Sequence, residues 1–213
     1  GPSFFGFNKA IRVLSYLLKP IYKFSFSKNS KIIFHNKHDR DVFLNKKICK
    51  VKSSCIIEGS GVDTQKFKNN KIKTLYFDPI QILFPARIIR EKGFIELFET
   101  CLILWKEGYP FQLNIAGEID LENKSTLTQK EINDISMNKN INFYGKVTDM
   151  KSIYSKTDIV VLPSWREGLS KSLIEAASMG LPIIANDVPG CKEIVENKKS
   201  GILIPLKNKV LLK

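Results

Sequence analysis

A chain of 213 residues with 43% hydrophobic and 26% charged side chains has the composition of a globular protein with a real core, either one large domain or one and a half smaller ones. No apolar run approaches the roughly 18–20 residues that span a bilayer. The start does not read as a signal peptide either: Gly1-Pro2-Ser3 lacks an initiator Met, and Lys9, Arg12 and Lys19 break the apolar stretch behind it, so the chain reads as cut from something longer or as carrying a processing scar. The net charge of +13 is uneven: residues 1–58 hold 12 Lys or Arg against Asp39, Asp41 and Glu58, a balance of +9. Such a basic quarter suits anionic lipid or nucleic acid, or is a Lys-rich solvated surface.

In chain order, residues 8–26 space Ile11, Leu14, Leu17, Leu18 and Ile21 as a helix with Lys and Arg between, which Pro20 is expected to kink or end. Lys31–Phe34 reads as a strand, Asp39–Leu44 as a helical turn and Ser54–Ile57 as a second strand. Gly59 and Gly61 then turn the backbone. Residues 58–78, polar and aperiodic, are expected to link two domains. From there strands are predicted at 80–85, 111–116, 141–144, 158–162, 182–185 and 201–204. Helices fill the gaps at about 92–107, 128–138, 148–155, 169–179 and 190–197. Short, nearly all-apolar strands alternating with amphipathic helices predict a doubly wound parallel α/β sheet covered on both faces. The scattered Cys49, Cys55, Cys101 and Cys191 form no C-x-x-C pair and read as reduced thiols packed as small hydrophobes, not as metal ligands.

Ligands of such sheets bind beyond the carboxyl ends of the strands. After strand 158–162 comes Pro163-Ser164-Trp165-Arg166-Glu167-Gly168-Leu169-Ser170 and a helix. A helix starting at Gly168 presents free N–H groups of Gly168, Leu169 and Ser170 to a phosphate at its positive dipole end. Glu167 stands at the mouth, and Glu175, two turns along, is placed to accept hydrogen bonds from ribose hydroxyls. The competing reading makes Lys171–Glu175 an exposed i,i+4 pair and Glu167 a dipole compensator. After strand 80–85, Ala86-Arg87 and Lys92-Gly93 bring two cations to the same rim, where they can neutralise a diphosphate. Gly117-Glu118 and Gly145-Lys146-Val147 follow two further strands, offering backbone that approaches a ligand or pairs with a base edge.

The ordered set Gly61-Val62-Asp63, Ala86-Arg87, Lys92-Gly93, Gly117-Glu118, Phe143-Tyr144-Gly145 and Glu167 through Glu175 resembles the retaining GT-B glycosyltransferases of family 4. The stretch PSWREGLSKSLIEAASMGLPIIANDVPGCKEIV is similar to bacterial members that build O-antigen, capsule or lipid-linked oligosaccharide. The resemblance implies the Rossmann-like C-terminal half of a GT-B fold over residues 79–213, preceded by an acceptor-side remnant, residues 1–57. It further implies catalytic roles for Arg87, Lys92 and Glu167. Donor binding would fall to Gly61, Ala86, Gly117, Val147, Gly168, Leu169 and Glu175. The implied reaction uses a nucleotide sugar, usually UDP-linked, without a required metal or other cofactor, in keeping with the lack of a D-x-D motif. The implied acceptor is lipid-linked or a glycan, at the cytoplasmic membrane face, with residues 8–26 lying on anionic lipid. Nucleic acid is not an expected partner, because aromatic residues are not interleaved with the basic ones as stacking platforms. A full member has a complete N-terminal domain and terminal helices that cross back, and residues 1–57 match only the end of the former.

Overall fold

A computed structural model describes residues 9–26, 31–69, 79–120, 123, 125–206 and 212, with side chains from residue 17 onward. The chain divides into two units, Gly1–Ser60 and Gly61–Lys213.

The first unit contains α1 (Lys9–Ser25), β1 (Ile32–Phe34), α2 (Lys37–Asn45) and β2 (Ser54–Ile56). β1 and β2 pair in parallel, with Ile32 opposite Ser54. Ile32, Phe34, Phe43 and Ile48 form a small core against which Leu18, Tyr22 and Phe26 of α1 and its end pack. That packing explains a departure from expectation: α1 does not end at Pro20 but runs through it to Ser25. Proline removes one N–H donor and crowds the preceding turn, yet burying Tyr22 and Phe26 beyond it holds the helix. α2 starts where the Asn36 side-chain oxygen accepts the Asp39 N–H at 2.7 Å, an N-cap.

The second unit is a six-stranded parallel sheet. Its strands are β3 (Ile80–Phe84), β4 (Phe111–Ala116), β5 (Ile141–Gly145), β6 (Ile159–Leu162), β7 (Ile183–Asn186) and β8 (Gly201–Ile204). The helices between them are α3 (Phe94–Lys106), α4 (Gln129–Ser136), α5 (Met150–Tyr154), α6 (Lys171–Ser178) and α7 (Pro189–Lys192). The spatial order is β5-β4-β3-β6-β7-β8. Neighbouring Leu83 and Phe84 are both 0% exposed, although successive strand residues point to opposite faces, so both faces of the sheet are covered. The doubly wound α/β prediction therefore holds.

Helix boundaries moved where loops do other work. Arg90–Lys92 forms a single 3-10 turn, and Gly93, at φ 73°, delays α3 to Phe94. α7 is much shorter than the predicted 190–197, because side chains fold the following residues into a turn. There Ser200 Oγ accepts the Glu196 N–H at 2.9 Å and Asn197 Oδ1 accepts the Leu203 N–H at 2.9 Å. Within the stretch 58–78, residues 61–69 belong to the second unit, and residues 70–78 lie outside the described residues. Phe67 is buried in that unit's core, edge-on to Tyr154 at 6.1 Å, and its carbonyl accepts the Ser178 hydroxyl at 2.7 Å.

Candidate functional site

The connections of β3 and β6, neighbours at the middle of the sheet, run off in opposite directions, which opens a crevice between their carboxyl ends. Two loops meet there, 85–93 after β3 and 163–170 after β6. Hydrogen bonds, most of them accepted by loop carbonyls, staple them together. The Trp165 N–H donates to the Glu91 carbonyl at 2.8 Å. The Ser164 hydroxyl lies 3.1 Å from the same carbonyl and 3.0 Å from that of Arg166. From β7, buried Asn186 donates its amide to the Pro163 and Ser164 carbonyls at 2.7 and 3.1 Å. The Trp165 indole N–H donates to Glu96 Oε1 at 3.1 Å, tying the loop to the first turn of α3. On this frame Lys92 Nζ reaches Glu167 Oε1 at 2.6 Å, with side-chain exposures of 24% and 9%. The structure thus brings two of the predicted residues into direct contact across the crevice.

The predicted helix start needs correction. α6 begins at Lys171 with Ser170 at its N-cap, so Gly168 and Leu169 lie in the approach loop. The unpaired N–H groups of the first turn therefore come about three residues later than expected. Gly190 permits a close approach to this loop: a Cβ there would lie 2.4 Å from the Gly168 oxygen and 2.7 Å from that of Glu167. α7 packs directly on the backbone of Glu167–Gly168.

Glu175 is buried, only 7% exposed, and so is no member of an exposed surface pair with Lys171, whose Nζ stands 3.9 Å away. The hydroxyl of Tyr154, itself fully buried, lies 3.3 Å from Glu175 Oε2 and 2.9 Å from the Ser172 carbonyl. Burial pushes the Glu175 carboxyl above the usual carboxylate range, while Lys171, the Tyr154 hydroxyl and Lys66 oppose the rise. Burial behind the crevice also pushes the Cys191 thiol up to about 12, with Glu167 adding to the rise and Lys92 opposing it.

Beside the crevice, a cleft of about 650 Å³ opens at the ends of β3, β4 and β5, walled by Arg87, Asp120, Phe143, Gly145 and Lys146. Arg87 pairs there with Asp120 at 2.7 Å, not with the group that holds Lys92. The two predicted cations thus sit on separate acids. Gly117 is required by its own fold neighbours: a Cβ would lie 1.8 Å from the Ala86 carbonyl oxygen, so it lets the β3 and β4 ends close on each other. Ala86 and Val147 are half-buried against the core, whereas Gly61 is exposed, with open space where a Cβ would project, and no described contact ties it to the crevice. Among the described residues, no three His, Cys, Asp or Glu side chains group as a metal site would.

The family model for glycosyl transferases group 1 matches residues 65–212. The chain belongs to that family. An N,N'-diacetylbacillosaminyl-diphospho-undecaprenol alpha-1,3-N-acetylgalactosaminyltransferase of Campylobacter jejuni is 28% identical over 206 residues, which is 92% of this chain and 52% of that protein. The amylovoran biosynthesis glycosyltransferase AmsK of Erwinia amylovora is 31% identical over 153 residues, 68% of this chain and 37% of that protein. The chain thus spans about half, or less, of the length of these relatives. Among solved structures, Anabaena HepE in complex with UDP and glucose superposes with a TM-score of 0.76 at 16% identity, covering 92% of this chain and 55% of that one. That likeness supports the fold: the second unit is the Rossmann-like half of a GT-B architecture.

Within this group 1 domain, sequence reasoning missed the residues that fix the crevice: Ser164, Asn186, Gly190, Asp120 and Tyr154. Ser164 carried a usable signal, since it lies two residues past the end of β6, and Gly190 carried a weaker one, a glycine just past β7. Asn186 and Tyr154 carried none, because an isolated polar or aromatic residue beside an apolar strand has no periodicity that betrays its partner.

Proposed function

We propose that this chain binds the nucleotide-sugar donor, UDP-linked, of a glycosyltransferase that moves the sugar with retention onto a lipid-linked or polysaccharide acceptor in bacterial surface-glycan synthesis. The observation that carries the proposal is the Lys92–Glu167 contact across the crevice at the middle of the sheet, with Glu175 buried farther along α6. The bond that breaks joins the anomeric carbon to a diphosphate oxygen, and charge builds on the departing diphosphate. Arg87 and Lys92, with the first-turn amides of α6, stabilise that charge in place of a metal ion. An arriving diphosphate competes with Glu167 for Lys92 and frees the carboxylate to face the sugar. Glu175 accepts from the ribose hydroxyls, and the base enters the neighbouring cleft against Phe143, which is 49% exposed.

The UDP and glucose of the HepE complex and the lipid diphosphate in the name of the Campylobacter relative support donor and acceptor class. We place the protein at the cytoplasmic membrane face, held peripherally through residues 8–26. Exposed Leu17, Ile21 and Phe24 on α1 support that placement. No helix among the described residues is long and apolar enough to cross a membrane. Calorimetric titration of the folded chain with UDP and UDP-sugars tests donor binding. Saturable binding that is lost in Arg87→Ala plus Lys92→Ala is the expected result. No binding, or equal binding by the double variant, excludes the site.

A further inference from the structure

Gly61-Val62-Asp63 opens the second unit, and each of the three shapes the turn that follows. Gly61 holds φ 66°, a left-handed backbone that favours glycine. Val62 packs on the core. The Asp63 carboxylate accepts the Gln65 and Lys66 N–H groups at 3.0 Å each, and its carbonyl accepts the Phe67 N–H at 2.9 Å. A short polar side chain that closes its own turn in this way fixes the next residues without help from a helix or strand. The turn delivers Phe67 to the core, where its ring stands edge-on to Tyr154 and its carbonyl takes the Ser178 hydroxyl.

Both partners of Phe67 lead to Glu175. Ser178 lies three residues after it on α6, hence on the same side of that helix. Burial, and then the neighbouring Glu175, push the Tyr154 phenol far above its usual range, so it stays protonated and donates. Its single proton is shared between the Ser172 carbonyl at 2.9 Å and Glu175 Oε2 at 3.3 Å. A hydroxyl drawn between two acceptors depends on where its ring sits, and Phe67 packs against that ring. The charged and titratable groups that bear on the Glu175 carboxyl come from three elements: Lys171 from α6, Tyr154 from α5 and Lys66 from the turn itself. We propose that the turn 63–67 is a positioning element of the ribose subsite, with Asp63 and Phe67 acting through Tyr154 and Ser178 to hold the Glu175 carboxylate where ribose hydroxyls reach it. The inference rests on the role of Glu175 in donor binding proposed above.

The test compares UDP with dideoxyuridine diphosphate, which keeps the base and the diphosphate and lacks both ribose hydroxyls, by calorimetry on the full chain at pH 6 and pH 8. The unmodified chain should prefer UDP about tenfold or more, the worth of a hydrogen bond to a charged group. Glu175→Leu, which keeps bulk without an acceptor, should remove that preference. Asp63→Ala and Ser178→Ala each release one end of the turn and should cut the preference about fivefold, as the loss of a capping side chain does for a helix. The cut should be deeper at pH 6 than at pH 8, because a loosened turn withdraws Lys66 and the Tyr154 hydroxyl, which oppose the rise in the Glu175 pKa. Asp63→Asn, which keeps the acceptor, should behave as the parent. A preference kept in full by both alanine variants overturns the inference alone. So does a loss of equal size for the two ligands, or a cut of equal depth at the two pH values, since either marks a turn that is merely structural. No preference in the unmodified chain, or one that survives Glu175→Leu, overturns the ribose reading of Glu175 and the inference with it.

Discussion

Replacing Gly190 by Ala separates two accounts of the crevice by the sign of the effect. Gly190 lies in α7, and on helix propensity alone Ala there stabilises by roughly 0.5–1 kcal/mol. The packing says otherwise. The new Cβ would stand 2.4 Å from the Gly168 oxygen, against about 3.3 Å for a tolerable C–H···O contact. Relief takes a displacement of about 0.9 Å, and the obstructing atoms are backbone, not the end of a flexible side chain. Overpacking of this kind costs roughly 1–3 kcal/mol. The displaced backbone is that of Glu167 and Gly168, in the loop that leads into α6, so the first-turn amides that the proposed function assigns to the diphosphate shift, and a lost contact to a charged group costs about 1.5–3 kcal/mol. Urea denaturation should therefore give a lower midpoint, and UDP titration an affinity about 10–100-fold weaker. A Gly190→Ala chain as stable as the parent, with unchanged UDP affinity, refutes this account of how α7 holds the loop.

Tyr154→Phe removes the hydroxyl beside Glu175, one of the groups that oppose the rise in its pKa. UDP binding that needs an ionised Glu175 then requires a higher pH, so its pH profile should shift upward, with the loss greater at pH 6 than at pH 8; an unshifted profile rules out the contact. Asn186→Ala leaves the Pro163 and Ser164 carbonyls without their buried donor and should cost about 2–3 kcal/mol in denaturant titration, where a cost under about 0.5 kcal/mol contradicts the staple. Burial pushes the Cys101 thiol, like that of Cys191, up to about 12, so in a native thiol assay Cys49 and Cys55 should react while these two wait for unfolding. Rapid native labelling of Cys191 would contradict the packing behind Glu167.

Strands were legible because burial on both faces leaves an unbroken apolar run, as in Val160–Leu162, and a run of that kind needs no knowledge of its neighbours. The rim was legible for a related reason: with the sheet placed, the residues after each strand converge whatever the loops do. What escaped was set by single contacts across distant segments. Phe67 is one apolar residue among polar ones, yet it draws 61–69 onto the second unit. Pro20 is a strong local stop, yet Tyr22 and Phe26 beyond it find a core. Gly190, 22 residues after Gly168, leaves room for α7 to close on the Glu167–Gly168 backbone. No local pattern contains that information.

The crevice combines two kinds of bond, and the difference bears on its chemistry. Its frame is uncharged and anchored on loop backbone: the Trp165 N–H on the Glu91 carbonyl, the buried Asn186 side-chain amide on the Pro163 and Ser164 carbonyls, and Gly190 against Gly168. These contacts cannot be exchanged without moving a strand end. Its charges are side-chain pairs instead, Lys92 with Glu167 and Arg87 with Asp120. Lys92 is a quarter exposed and Arg87 half exposed, so each can change partner by rotating about side-chain bonds while the frame stays fixed. A site organised in this way keeps its cations neutralised when empty, which avoids two unpaired charges at the crevice. On the proposed function, it would deliver them to an incoming diphosphate at the cost of side-chain rotation alone. Preorganisation of this kind resides in the loop backbone, so substitutions in the frame should impair binding of UDP and of intact nucleotide sugar alike. Substitution at Glu167, which the proposed function sets beside the sugar, should weaken binding of the intact donor more than that of UDP.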